Sequence, residues 1–241
     1  MKKSKNLLTV LLVGVATIVA IPFLKELWEE RKEDNKQVKI EKQIDEVIKN
    51  DKEQSSRVKK LIKKNKDVIG FIEIPGTTIS YPVMQTKDNP DFYLNHDINK
   101  DYSSYGTPYL SAYCDLKTSD QLIVYGHNMG YNKMFGVLTN YRDESYLKAH
   151  PSIILETKNK KSEYEIFAVM SVNKYDFPYW SFVMAKDEAE YDEYVEKVIH
   201  YTLQNCTHKP NYGDQILALS TCDNRRGHDY RFVVMAKMSN C

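Results

Sequence analysis

The sequence has little cysteine and almost no net charge, and both shortages narrow its possible functions. Its 241 residues include four cysteines, and the 34 basic and 33 acidic residues leave a formal charge of +1. Four scattered cysteines are too few for a disulfide scaffold, and no C-x-x-C pair suggests a zinc site. The charge balance disfavours nucleic acid as a partner. The sequence also lacks internal repeats and low-complexity tracts.

A single long apolar run is present, and it lies near the N-terminus. Residues 7–24 contain no charge, whereas three lysines precede the run and Lys25 and Glu26 follow it. As a helix the run would rise about 27 Å, close to the roughly 30 Å hydrocarbon core of a bilayer. We therefore predict a cytoplasmic tail at 1–6, a transmembrane anchor at 7–24, and a single-pass protein of the cell membrane with its C-terminal domain extracellular. A cleaved signal peptide is the less favoured alternative.

The rest of the chain divides into a charged helical segment and a β-rich domain. Residues 25–66 are dense in charged side chains, with Ile40, Ile44 and Ile48 at helical spacing, which indicates a charged stalk and an N-terminal helix. From residue 67 to 241, short β-branched and aromatic runs between turn residues predict a mainly β sandwich or barrel. The eight predicted strands are 69–74, 79–84, 106–110, 122–125, 152–156, 164–172, 216–221 and 230–237.

One segment of this domain has helical rather than β periodicity. Residues 187–204 place Tyr191, Val195 and Val198 on one face. Asp187 followed by Glu190 resembles a capping box, which supports a helix start there. The sequence therefore predicts a helix between the sixth and seventh strands.

Cys222 ends an apolar strand, and Arg231 begins the next one. If the two strands form an antiparallel hairpin, directly opposed residues face the same side with Cβ atoms about 5 Å apart. A thiolate can attack a carbonyl carbon, and a guanidinium can hold the oxygen that becomes negative. Arg225 and Arg226 are competitors, but they lie in the connecting loop. A small buried side chain is the structural alternative for the cysteine.

His127 is the preferred proton partner of such a thiol. It stands just beyond the strand that ends at Tyr125, and strand ends are common places for functional side chains. His228, only six residues from Cys222, is a rival on proximity, and spacing alone does not decide between them.

Metal binding is a competing chemical interpretation of the C-terminal part of the chain. Its candidate ligands fit no common zinc pattern, and no H-E-x-x-H pair accompanies them. We therefore predict no metal and no cofactor. The candidates are Cys206, His208, Cys222, His228 and Cys241.

Several segments resemble the sortase family in the same order along the chain. LSTC at 219–222 and RFVV at 231–234 resemble the T-L-x-T-C and downstream arginine signature, with Ala218 where the motif usually opens with threonine. YGHNM at 125–129 resembles the histidine motif of class B sortases. GFIEIPGTTISYPVMQ at 70–85 is similar to their first two strands, and YLNHD and YGTPYL also agree. The likeness covers roughly 38–237.

This resemblance implies a fold, a reaction and roles for individual residues. The expected fold is an eight-stranded sortase barrel with an N-terminal helical extension and a helix between strands 6 and 7. The expected enzyme is a cysteine transpeptidase that cleaves a C-terminal sorting signal of secreted proteins after threonine, holds a thioester, and transfers the protein to a peptidoglycan amine. Catalysis is carried over to Cys222, His127 and Arg231. Ser220 is expected either to contact the signal or to be an ordinary strand residue.

Other functions remain open at this point. One is a cysteine enzyme that acts on the cell wall itself. Another is a non-catalytic, membrane-anchored surface module that binds haem or protein, although such a module would be expected to have lost one of the three catalytic residues. A pilin-polymerising sortase would normally carry a lid segment and often a second C-terminal membrane helix, which the sequence does not show. A housekeeping sortase is disfavoured by the helix at 187–204.

Overall fold

The computed structural model describes residues 2–49, 56–130, 132–204 and 208–239, with side chains from Ala20 onward. The chain forms two compact units, of which the first ends at Gln43 and the second begins at Ile44. Helix α1 spans Lys2–Lys49. The second unit contains all of the strands.

The predicted single-pass localisation, with a cytoplasmic N-terminus and an extracellular catalytic domain, is corrected by the structure. Within the described residues, no helix has an apolar stretch long enough to cross a bilayer. Of the predicted anchor, side chains are described only for the five residues 20–24, directly before the charges at Lys25 and Glu26. Residues 7–19 of that anchor lie outside the residues whose side chains are described. The membrane is therefore not retained as a partner.

Eight strands close into a barrel, which confirms the predicted fold class. Their order around the barrel is β1-β2-β3-β4-β7-β8-β6-β5. Neighbouring strands are antiparallel except for β2 with β3 and β4 with β7, which are parallel. Closure removes the unpaired strand edges of an open sheet. The strands are β1 (Val68–Glu73), β2 (Ser80–Met84), β3 (Tyr109–Leu110), β4 (Gln121–Tyr125), β5 (Ser152–Thr157), β6 (Lys161–Asn173), β7 (Ile216–Cys222) and β8 (Tyr230–Met238).

Strand β7 is buried along almost its whole length. It lies between β4 and β8, and every residue from 216 to 221 is buried. A strand covered on both faces has an unbroken apolar sequence rather than an alternating one. The buried run Ile-Leu-Ala-Leu therefore fixes the backbone that leads to Cys222, the last residue of the strand.

Short helices cover the barrel. They are α2 (Arg57–Lys64), α3 (Glu144–Ala149), α4 (Glu188–Tyr201) and the 3-10 helices Phe92–Leu94, Phe135–Arg142 and Tyr179–Ser181. Helix α4 confirms the predicted helix between strands 6 and 7, and the Asp187 side chain accepts a hydrogen bond from the Glu190 N–H at 2.9 Å. The helix ends at 201 rather than 204 because Thr202 is extended and pairs with Met170.

Candidate active site

Strand β7 brings Cys222 to the rim of the barrel. The six preceding residues are buried, whereas Cys222 is exposed. The apolar part of the strand fixes the backbone, and the side chain at its end faces solvent. Cys222 is a free cysteine, so its sulfur can react.

Arg231 lies directly opposite Cys222. The two residues are paired in the antiparallel register of β7 and β8, which places their Cβ atoms roughly 5 Å apart on one face. Nη1 of Arg231 donates to the carbonyl oxygens of His228 at 2.8 Å and Tyr230 at 3.0 Å. These bonds fix one edge of the guanidinium against the turn between the strands.

Strand β4 places His127 at the same rim. Tyr125 is beside Ser220 in the parallel register of β4 and β7, and the Gly126 N–H donates to the Ser220 carbonyl at 3.1 Å. Nε2 of His127 lies 2.7 Å from the carbonyl oxygen of Leu94. A carbonyl oxygen only accepts, so Nε2 carries hydrogen in this geometry and Nδ1 is left to take a second proton.

Asn128 joins the two segments that carry His127 and Cys222. Its Nδ2 donates to the backbone carbonyl of Cys222 at 2.9 Å, and its Oδ1 accepts from the Gly130 N–H at 3.1 Å. The loop after β4 is therefore hydrogen-bonded to the end of β7. The sequence analysis did not select Asn128, although it stands next to His127 in the quoted YGHNM segment.

Ser220 lies beneath the exposed thiol and is only 1% exposed. Its Oγ is 2.6 Å from the hydroxyl oxygen of Tyr179. Burial raises the pKa of Tyr179 to about 12, although the hydrogen bond with Ser220 and the nearby Arg231 favour the phenolate. Tyr179 is therefore a neutral phenol at physiological pH, and its hydroxyl and that of Ser220 form a buried polar pair.

A cleft of about 560 Å³ contains these side chains. Its walls are largely aromatic and aliphatic, and Trp180, which comes from the connection between β6 and α4, is 48% exposed there. Such a cleft can hold an extended peptide by apolar contact, with a few polar groups to fix its orientation. Its lining comprises Pro90, Asp91, Leu94, Tyr109, Ser111, Ala112, Tyr113, Tyr125, Gly126, His127, Trp180, Ser220, Thr221, Cys222 and Arg231.

Three residues that the sequence offered as alternatives to His127 and Arg231 do not line this cleft. They are His228, Arg225 and Arg226. The side chain of His228 is 94% exposed and lies 3.7 Å from Asp229. Nη1 of Arg226 donates to the Ser171 carbonyl at 3.1 Å. Arg225 is exposed in the turn.

The other cysteines do not join Cys222 in the described part of the chain. Cys114 is a buried free cysteine whose Sγ donates to the Gln121 carbonyl at 3.3 Å. Burial raises the pKa of its thiol. Cys206 and Cys241 lie outside the described residues. Among the described residues, no three His, Cys, Asp or Glu side chains are grouped so that they could hold a metal ion.

Comparison with known proteins identifies the family. The Sortase domain family model matches residues 72–239. The chain belongs to the sortase family. It is 33% identical to sortase B of Listeria monocytogenes over 184 residues, which cover 74% of this chain and 72% of the relative. It is 27% identical to sortase B of Staphylococcus aureus, with 99% of this chain and 98% of the relative covered.

Solved sortase B structures share the fold. A substrate complex of sortase B from Staphylococcus aureus superposes with a TM-score of 0.76 at 26% identity and covers 88% of this chain and 98% of that one. Sortase B from Clostridium perfringens gives a TM-score of 0.70 at 32% identity and covers 76% and 99% of the two chains. The resemblance to class B sortases is thus confirmed, and the chain is a cysteine transpeptidase.

Proposed function

We propose that Cys222 is the nucleophile of this transpeptidase, that His127 is its acid and base, and that Arg231 stabilises the oxyanion. The substrate is a C-terminal sorting signal of secreted proteins, cleaved after its threonine, and the acceptor is an amine of cell-wall peptidoglycan. The register of β7 with β8 carries this proposal, because it sets the thiol and the guanidinium opposite each other in the cleft that His127 also lines.

In the first half of the reaction, the peptide bond after threonine is exchanged for a thioester. The sulfur of Cys222 forms a bond to the threonine carbonyl carbon, and its proton passes to His127. The carbonyl oxygen becomes negative and is met by the fixed charge of Arg231. When the C–N bond breaks, His127 gives the proton to the departing amine.

In the second half, an amine replaces the sulfur. Its nitrogen attacks the thioester carbonyl carbon and gives a proton to His127; the C–S bond then breaks, and the Cys222 sulfur takes that proton back from His127 to restore the thiol. Transfer exceeds hydrolysis only if the amine is better placed than water. The aromatic walls of the cleft, especially Trp180 and Tyr113, are suited to exclude water from the thioester once a signal peptide is bound.

The role of Ser220 is proposed from its position. Its side chain shares the cleft face with Cys222, since residues two apart on a strand face the same side. The Ser220 hydroxyl, held by Tyr179, can bond a backbone group of the bound signal just before the cleaved peptide bond. We also propose residues 67–241 as the catalytic domain and 25–66 as its stalk and N-terminal helix.

The test uses the full-length chain with quenched fluorescent peptides that carry N-P-x-T-x and x-P-x-T-G signals. We expect cleavage after threonine, loss of cleavage in Cys222→Ala, and a transfer product when triglycine is added. Cys114→Ala is the matched control, because it removes a buried cysteine outside the cleft, and it should remain active. If no peptide is cleaved and Cys222 is inert to a thiol reagent, the binding-module function would replace this one.

The roles of the other two residues need variants of their own. Arg231→Lys keeps the charge but loses the planar fork, and we expect kcat to fall about a hundredfold, as for other losses of an oxyanion donor. His127→Ala should be at least as impaired. The same changes at the rivals, Arg226→Lys and His228→Ala, should leave kcat within about threefold of the wild type. If Arg226→Lys or His228→Ala lowered kcat as much as the matching change at Arg231 or His127, the proposed catalytic roles would be contradicted.

A further inference from the structure

Asp223 follows Cys222 directly, but its side chain is buried beneath the hairpin. Only 1% of Asp223 is exposed, whereas Cys222 faces the cleft. Consecutive residues at a strand end face opposite sides, so the carboxylate occupies the side away from the cleft. A carboxylate so deeply buried needs hydrogen-bond donors and a counter-charge.

Three donors surround this carboxylate, one from each neighbouring segment. Its Oδ2 accepts from Ser171 Oγ on β6 at 2.5 Å and from Arg142 Nη2 at the end of a 3-10 helix. Its Oδ1 accepts from the Arg225 N–H in the turn at 3.3 Å. Burial alone would raise the pKa of Asp223, but the bonds from Ser171 and Arg142 outweigh it and lower the pKa. All three donors are satisfied only when both side-chain oxygens of residue 223 accept hydrogen bonds.

Arg142 contacts both strands of the hairpin. It is paired with Asp223, the residue after Cys222, and its guanidinium carbon lies 4.8 Å from the ring centre of Phe232, the residue after Arg231. Its Nε is buried and has no hydrogen-bond partner in the described part of the chain. The partly buried side chain thus contacts both strands at the point where they carry the thiol and the proposed catalytic guanidinium.

We propose that Asp223 is a positioning residue, which, with Arg142 and Ser171, holds the turn between β7 and β8 so that Arg231 stays opposite Cys222. The inference rests on the proposed roles of Cys222 and Arg231, and it adds a residue that keeps their side chains in place. Asp223 touches no reacting atom and acts only through Arg231. Replacement by Asn, which has the same shape, sets an amide N–H₂ against a donor in either orientation.

The pH at which the Cys222 thiolate forms distinguishes two roles of Asp223. Asp223 either positions Arg231 or acts on the thiol only through its own charge. The charged or titratable groups around Cys222 are Arg231 on β8, His127 after β4, Asp91 in the cleft wall, the tyrosines Tyr109, Tyr113, Tyr125 and Tyr179, and Asp223 with Arg142 on the buried side of the hairpin. A cation held near a thiol favours the thiolate, and an anion disfavours it. If Asp223 acted only by its charge, Asp223→Asn would make the thiolate form at lower pH. If it positions Arg231, the thiolate should form at higher pH.

The experiment measures the alkylation rate of Cys222 by iodoacetamide against pH in the full-length chain, with the Cys222 peptide followed by mass spectrometry. No signal peptide is required. The variants are Asp223→Asn, Arg231→Ala and both together. Asp229→Asn is the matched control, since this aspartate lies in the same turn but pairs with Lys174 at the surface. Thermal unfolding is recorded for each variant.

We expect Asp223→Asn to raise the midpoint of the rate profile by about 0.5 pH unit or more. Arg231→Ala should raise it too, and the double variant should be no higher than Arg231→Ala alone, because both changes remove the same interaction. Asp229→Asn should match the wild type. An unchanged or lower midpoint in Asp223→Asn, an additive double variant, or no effect of Arg231→Ala would each overturn the proposal.

Two further measurements keep the test decisive. If Asp223→Asn does not fold, Ser171→Ala removes one donor without an unpaired charge and should shift the midpoint upward by a smaller amount; no shift would overturn the proposal. With a cleaved peptide, Asp223→Asn should lower kcat about tenfold and leave KM within about threefold. If the wild type cleaves no peptide, the proposed function fails, but the alkylation profiles still decide the role of Asp223.

Discussion

At the scale of single residues, the site depends on which side of the hairpin each side chain faces. Ser220, Cys222 and Arg231 line the cleft, whereas Asp223 and Phe232 are buried on the other side. The cleft face carries the proposed catalytic groups, and the opposite face carries side chains that hold the hairpin. A substitution on the buried face can therefore lower activity without touching a substrate.

Asn128 offers a test of such a holding contact. Its Nδ2 donates to the Cys222 carbonyl at 2.9 Å, which keeps the segment of His127 beside the thiol. Asn128→Ala removes this bond, and we expect kcat/KM to fall about tenfold, because a small displacement of the acid and base is costly. Steady-state kinetics with the cleaved peptide would measure the loss.

The control for Asn128 is a similar asparagine outside the cleft. Asn140 donates from Nδ2 to Asn132 Oδ1 at 3.0 Å, so Asn140→Ala also removes one side-chain hydrogen bond. It should leave kcat/KM within about twofold of the wild type. Equal losses in the two variants would mean that the bond to Cys222 has no special part in catalysis.

The sequence allows some of these residues to be predicted and hides others. Cys222 and Arg231 were found because a short connection predicts a hairpin, and a hairpin fixes which residues face each other. Asn128 and Asp223 were not found, because their partners are distant in the chain. Their contacts arise from the parallel pairing of β4 with β7 and from the position of Arg142 beneath the hairpin.

At the scale of elements, a glycine lets one loop reach His127. Gly106 has a φ of 60°, and a Cβ there would lie 2.3 Å from the Leu94 carbonyl oxygen, the atom beside His127 Nε2. Gly106→Ala must push this carbonyl aside. We expect kcat/KM to fall about tenfold or more from the lost orientation of His127, as measured by peptide cleavage.

Gly213→Ala is the control for Gly106→Ala, because it introduces the same kind of backbone strain without displacing a neighbouring atom. Its φ is 96°, but nothing lies within 4 Å of a Cβ built there. Gly213→Ala should cost about 1–2 kcal/mol of stability from the left-handed conformation alone, with activity of the folded enzyme retained. A Gly106→Ala enzyme as active as Gly213→Ala would show that the Leu94 carbonyl does not matter to His127.

Arg57 links helix α2 to the barrel by polar contacts, beside the buried side chains of Val58 and Leu61. Arg57 donates from Nη1 to Glu73 at 2.7 Å and from Nε to Glu156 at 2.8 Å, and its guanidinium carbon is 4.3 Å from the ring centre of Phe71. Arg57→Leu leaves two carboxylates without their partner. We expect chemical denaturation to show a loss of about 2 kcal/mol, less than for a fully buried pair because the side chain is partly exposed.

Lys59 is the control on the same helix. It is exposed, so Lys59→Ala should change the free energy of unfolding by no more than about 0.5 kcal/mol. Neither residue lines the cleft, and both folded variants should keep the wild-type kcat. A loss at Lys59 as large as that at Arg57 would contradict a specific attachment through Arg57.

Long elements could be predicted better than short ones. Helix α4 was found because its apolar face repeats over four turns and its capping residue stands at the start, and most strands agree within a few residues. Strand β3 is shorter than predicted, Tyr109–Leu110 rather than 106–110, because Gly106 is left-handed. Helices α2 and α3 were not predicted as separate elements, since six to eight residues carry too little periodicity.

At the scale of the whole molecule, the barrel could be predicted and the localisation could not. Eight runs in a family-like order fix the number of strands and the fold class. The apolar run at 7–24 predicted a membrane anchor, but within the described residues no helix is long and apolar enough to span a bilayer. The anchor was predicted from one segment, its apolar length and its flanking lysines, whereas the barrel was supported by strands, turns and motifs together.

The core contains an unusual number of enclosed tyrosines, and these should set the alkaline limit of stability. Seven tyrosines are buried with a phenol pKa that burial raises; they are Tyr93, Tyr109, Tyr141, Tyr164, Tyr179, Tyr191 and Tyr194. The folded state therefore keeps these protons above pH ~10, where the unfolded chain loses them. Their stabilising effect is complete below that pH and declines as pH rises.

Each such tyrosine should cost about 1.4 kcal/mol of stability per pH unit above ~10. Seven together cost roughly 10 kcal/mol per unit, comparable with the total stability of a domain. We expect cooperative unfolding within about two units above pH ~10, with circular dichroism and tyrosinate absorbance changing together. Tyr179→Phe should make the transition less steep, because one fewer phenol is released on unfolding. Tyrosinate absorbance that rises fully while the circular dichroism is still native would show that these phenols ionise inside the folded barrel and do not limit its stability.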